Sequence, residues 1–114
     1  MKDLKVEVPH RFKKQLKRRF SYENRQVNGN HVRITVSCTL CRNYLRCKDC
    51  PFGKWARRVE ACCCRAWLVE ALGETPRFKI LLSTAVEWTL EDDEKVKHQL
   101  ERLHLVAEQA IKWV

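Results

Sequence analysis

Glycine and proline are scarce, three of each in 114 residues. Gly29, Gly53 and Gly73 stand alone, so no glycine-rich loop is available to wrap a phosphate chain. Long apolar runs are missing as well, and none approaches the roughly 18 residues that cross a bilayer. The opening Met-Lys-Asp-Leu-Lys-Val-Glu-Val-Pro lacks the apolar segment of a secretory signal, which sets the expectation of a cytoplasmic protein with no membrane partner. His10, His31, His98 and His104 adjoin neither a cysteine nor a Ser/Asp pair at a telling spacing, so no catalytic residue is assigned. No recognition-helix pattern or RNA-binding signature occurs, and sequence-specific readout is not expected. Repeats, low-complexity tracts and linkers are likewise missing. At 13.6 kDa and 45% hydrophobic residues, the chain reads as one domain, residues 1–114, with a modest core.

What is present in excess is positive charge and cysteine. Lysine and arginine total 23 against 14 acids, a net charge of +9. The sign is segregated: residues 1–33 carry ten basic and three acidic side chains, whereas residues 69–114 carry six and nine. A basic front and an acidic back suit a protein that meets a polyanion on one side. The candidate phosphate contacts are Lys13, Lys14, Lys17, Arg18 and Arg19, with Arg42 and Arg46 further along, and Lys48 beside them. Tyr22, Tyr44 and Trp55 are interleaved with these and are candidates for stacking on bases, or for shielding a metal site and pairing across a hairpin.

The seven cysteines fall as Cys38, Cys41, Cys47, Cys50 and the run Cys62, Cys63, Cys64. An odd count without a secretory signal argues against a disulfide framework. Cys38-x-x-Cys41 and Cys47-x-x-Cys50 instead form two pairs in which the chain turns between thiolates, and together they supply the four soft ligands that tetrahedral zinc takes. Arg42, Arg46 and Lys48 would favour the thiolates and offset the charge of a zinc tetrathiolate. The five-residue gap between the pairs is short, so a set using one pair plus a cysteine of the Cys62–Cys64 run stays open. An iron–sulfur cluster, disulfides and free thiols are the other readings of the same residues. Successive residues of a helix point about 100° apart, so core packing is expected for at least one of Cys62, Cys63 and Cys64.

Periodicity places these residues on elements. Residues 4–8 alternate as a strand ending at Pro9, and Phe12, Leu16 and Phe20 mark a helix over 10–20 with a thin apolar edge. Asn28-Gly29 signals a hairpin between arms 22–27 and 31–37, the second arm delivering Cys38. After a cysteine-rich connection interrupted by Pro51 and Gly53, a helix is expected from Lys54 to Leu72, capped by Gly73. Residues 77–86 read as a central strand. From Thr89 a helix runs to the C-terminus with a seam of Val96, Leu100, Leu103, Ala107, Ala110 and Val114. The order implies an α+β fold: a small, mostly antiparallel sheet with two to three helices packed on one face and a Cys-rich metal turn.

The run Cys-x-x-Cys…Cys-x-x-Cys-Pro-Phe leading into a cysteine-bearing helix, residues 38–64, resembles a motif in small uncharacterised proteins of phages and other mobile elements. The resemblance implies a zinc-type site and a viral or prophage source. Taken together, the residues describe a small non-enzymatic zinc-binding protein that contacts nucleic acid through its basic N-terminal half. The competing reading is a viral or mobile-element adaptor or inhibitor that binds a host protein through its C-terminal helix surface, with Trp88 and Trp113 as anchors or as core residues.

Overall fold

The chain begins and ends in the same place. Strand β1 (Val6–Val8) pairs in parallel with the last strand, β6 (Ile111–Trp113), in the register Val6↔Ile111, Glu7↔Lys112 and Val8↔Trp113. The computed structural model describes residues 3–19, 21–35, 40, 43–73, 77–80, 85–89 and 93–114. β1 alternates as expected, with Val6 and Val8 buried and Glu7 outside. A 3-10 turn (His10–Phe12) leads into helix α1 (Lys13–Arg19), whose hold on the core is Phe12 and Leu16.

The hairpin is present, but its turn sits one residue later than Asn28-Gly29. Asn28 pairs with His31, which leaves Gly29-Asn30 as the two-residue loop between β2 (Gln26–Asn28) and β3 (His31–Thr35). Gly29 takes φ +58° while Asn30 does not enter the positive region, the arrangement that calls for glycine at the first central position. Tyr22–Asn24, expected as strand, is a 3-10 turn capped by the Ser21 hydroxyl, which accepts from the Glu23 N–H at 3.3 Å.

The strand expected over 77–86 proves to be parts of two. β4 (Lys79–Ile80) and β5 (Ala85–Thr89) lie antiparallel, and the sheet order is β2-β3-β5-β4. Central β5 is tied to β3 by side chains too: Arg33 donates from Nε and Nη2 to Glu87 Oε2 at 3.2 and 2.8 Å. That hydrogen bonding outweighs the opposing effect of burial and holds the Glu87 carboxyl below its usual value, with electrostatic attraction to His31, Arg33 and Lys79 adding to it.

The single helix expected over 54–72 is two. α2 (Pro51–Arg58) starts earlier, with Pro51 in its first turn, and α3 (Arg65–Leu72) begins after a break. The break is a helix stop in which Glu60 adopts φ +57°, Ala61 N–H bonds the Ala56 carbonyl at 2.8 Å, and Glu60 N–H bonds the Arg57 carbonyl at 3.3 Å. Gly73 caps α3 as expected. Helix α4 (Asp93–Ala110) stops short of the C-terminus because Ile111–Trp113 leave it to pair with β1. Among the described residues, no helix is long and apolar enough to cross a membrane.

Val96, Leu100 and Leu103 of the α4 seam are buried in one apolar cluster with Leu16, Ile34, Trp67, Leu72 and Trp88. Gln99 is buried beside them and was not expected from the seam. Its Oε1 accepts the Trp88 indole N–H at 2.7 Å and its Nε2 donates to the Leu72 carbonyl at 3.1 Å, linking sheet, α3 and α4. Replacing Gln99 with leucine adds apolar bulk but strands a buried N–H and a buried carbonyl, each worth about 1–3 kcal/mol. Gln99→Leu is therefore expected to lower unfolding free energy by about 2 kcal/mol in urea titration; an unchanged or raised midpoint contradicts this role.

Candidate functional site

The second thiol pair is built by the start of α2. Cys50 is the N-cap residue, in extended backbone conformation and buried, and Cys47 is exposed three residues before it. The chain turns between them, with Cys50 N–H bonding the Cys47 carbonyl at 3.2 Å. Gly53, buried in the first turn of α2, lies directly beneath that carbonyl: a β-carbon there would overlap Cys47 O. Glycine at 53 thus lets the turn fold down onto the helix, so it belongs to the helix rather than interrupting it. Cys47 and Cys50 are both unbridged. Cys38 and Cys41, the other expected pair, lie outside the described residues. Among the described residues, no group of three or more metal-ligating side chains converges.

Cys62, Cys63 and Cys64 occupy the break between α2 and α3, not the buried face of one helix. Cys62 is exposed and donates its thiol to Cys63 Sγ at 3.9 Å. Burial opposes ionisation of Cys63. The Arg65 and Ala66 backbone N–H groups, the Cys62 thiol and the Arg65 charge outweigh it and hold the Cys63 thiol below its ordinary pKa.

The basic candidates divide by position. Lys14, Lys17 and Arg18 are exposed on α1 and Lys13 is half-buried. Arg19 ends the same helix, its side chain outside what is described. The Phe12–Tyr44 ring pair, with centroids 6.3 Å apart, brings the thiol turn toward the start of α1, and Arg46 is exposed on that turn. Arg42 lies outside the described residues. No ion pair among the described residues involves Lys13, Lys14, Lys17, Arg18 or Arg46.

No family model, curated protein or solved structure matches the chain.

The aromatic candidates are mostly engaged inside the protein. Trp55 is 2% exposed and donates its indole N–H to the Asp3 carbonyl at 2.6 Å. Tyr22 donates to Asp93 Oδ2 at 2.5 Å and carries the Arg25 guanidinium 3.9 Å above its ring. The hydrogen bond to that carboxylate raises its phenol above the usual range, burial adding to the effect and Arg25 opposing it. Neither ring is free to stack on a base, and Tyr44 is half-buried.

A cationic group that the linear sequence did not reveal forms where the chain ends meet. Lys5 of the segment entering β1, Lys54 and Arg58 of α2, and Lys112 of β6 line one groove, from positions more than a hundred residues apart in the extreme case.

Gly53→Ala tests how the turn is seated. At an unobstructed helical site this change stabilises by about 1 kcal/mol. Here it is expected to destabilise by about 1–3 kcal/mol, because a backbone carbonyl must move. Denaturant unfolding reads the sign directly, and stabilisation would contradict the close approach.

Proposed function

We propose that this is a small, non-enzymatic, zinc-stabilised nucleic-acid-binding protein of the cytoplasm, of the phage or mobile-element kind its cysteine motif resembles. The observation that carries the reading is the charge on α1. Phe12 and Leu16 anchor that segment in the core, while Lys14, Lys17 and Arg18 stand exposed with no acidic partner among the described residues. Unpaired cations on a rigidly held helix gain most by meeting phosphates, since each phosphate neutralised releases condensed counterions. Lys13, Arg19, Arg42 and Arg46 are the further candidate phosphate contacts in this reading.

Cys38, Cys41, Cys47 and Cys50 would hold the zinc. The unbridged thiols of Cys47 and Cys50, set in a turn on a helix start, fit half of that donor set. Zinc bound there supplies a cross-link whose binding free energy becomes folding free energy in a chain with a modest core. The adaptor reading is the weaker one, because Val96, Leu100 and Leu103 of the C-terminal helix are used inside the fold and Trp88 is core.

The test is fluorescence anisotropy with a labelled single-stranded oligonucleotide across a salt series. Log affinity should fall steeply with log salt. Lys14→Ala/Lys17→Ala should lower the slope by about 1.4, or about 0.7 for each phosphate no longer neutralised. A salt-independent affinity, or a slope untouched by the double substitution, contradicts the reading.

A further inference from the structure

The groove over the paired chain ends has the volume, lining and charge of a ligand site, and it is separate from the basic face of α1. It is an open groove of about 690 Å³, within the range of roughly 300–1,000 Å³ typical of small-molecule pockets. One wall is a single face of α2, Pro51, Lys54, Trp55 and Arg58, at the i, i+3, i+4, i+7 spacing that aligns side chains along a helix. The other wall is β1 with β6 and the end of α4.

Half-buried Pro9, Tyr44 and Ala110 supply the accessible apolar floor, with Val6, Pro51 and Trp55 buried behind it. Around it stand Lys5, Lys54, Arg58 and Lys112, all exposed, against the carboxylates of Glu7 and Asp49. Lys5, Lys54 and Lys112 make no ion pair among the described residues. Arg58 is already positioned: its Nη2 donates to the Lys5 carbonyl at 2.6 Å and lies 3.4 Å from Asp3 Oδ2, which leaves Nε and Nη1 without a described partner.

A lone ion would leave the apolar floor wet, and an apolar ligand would leave the cations unused. The geometry points to a nucleotide in this groove: phosphate oxygens on Lys5, Lys54, Arg58 and Lys112, the base over the floor, and an exocyclic amino group on Glu7 or Asp49. Carboxylates accept from such amino groups, as they do from cytosine N4, and gain nothing from a keto oxygen. The nucleotide can be free or a unit of a single strand, and the two sources are separable by experiment.

The experiment is a two-dimensional amide NMR titration of the full-length protein with pyrophosphate, CMP, UMP and oligo-dC. Pyrophosphate and CMP should shift amides of residues 5–7, 54–58 and 109–113, with CMP binding at least several-fold more tightly than UMP. Lys54→Glu/Lys112→Glu should weaken CMP at least tenfold, whereas Lys14→Ala/Lys17→Ala, which tests the α1 reading, should leave CMP affinity unchanged. Oligo-dC that displaces CMP from the groove marks a single strand as the source, and CMP retained beside bound oligo-dC marks a free nucleotide; both support the site. No groove shifts at millimolar CMP, or shifts confined to α1, overturn it. Equal affinity for CMP and UMP overturns the role of Glu7 and Asp49, and with it the nucleotide assignment.

Discussion

The close approach of the Cys47 carbonyl to Gly53 is the constraint that places α2 and, through it, the N-terminal segment. It seats the thiol turn on the first turn of α2 and so fixes where that helix begins. α2 in turn presents Trp55 and Arg58 to the N-terminal segment, taking the Asp3 and Lys5 carbonyls at 2.6 Å each. Trp67 of α3 adds a third bond, from its indole N–H to the Leu4 carbonyl at 2.9 Å. Three donors thus hold residues 3–5, and β1, held there, provides the edge on which β6 pairs. Buried indoles with satisfied N–H groups combine large apolar burial with directional bonds, which is why a segment of a few residues can be located so firmly.

Charge is arranged with a similar division of labour. The ion pairs of the sheet side, Arg33 with Glu87 and Arg25 with Asp93, join neighbouring elements. Lys13, Lys14, Lys17 and Arg18 of α1 and the lysines around the chain ends lack such partners among the described residues. Paired charges of the first kind orient structure, and unpaired ones of the second kind are available to an anion. Both unpaired groups draw on the surplus of +9, and neither is consumed internally by an ion pair among the described residues.

Much of the fold was legible in the sequence because its signals were local. Alternation marked β1, the Phe12/Leu16 spacing marked α1, and Asp93 and Glu94 marked the first turn of α4, although Thr89, expected as the start of that helix, ends β5. What misled was chemistry that leaves little local trace. The stop after α2 uses Glu60 in the left-handed region, where glycine is the usual signal, so residues 54–72 read as one helix. That one unmarked stop moved Cys62, Cys63 and Cys64 from an expected helix face into a connection. Ile111–Trp113 continue the helical pattern of α4 yet pair with β1, a tertiary preference that helical spacing does not reveal. The thiol turn was legible as a motif, but the role of Gly53 beneath it was not, since glycine in a helix ordinarily signals weakness. The groove cations were illegible for a plainer reason: they meet only when the two ends of the chain do.

Four thiolates in the segment around this turn are proposed to grip one zinc ion and hold the small core together. X-ray absorption at the zinc edge of the purified protein tests it most directly. One zinc per chain with four sulfur neighbours at about 2.3 Å is the expected result. A metal-free protein that stays folded, or a first shell dominated by nitrogen and oxygen, would contradict it.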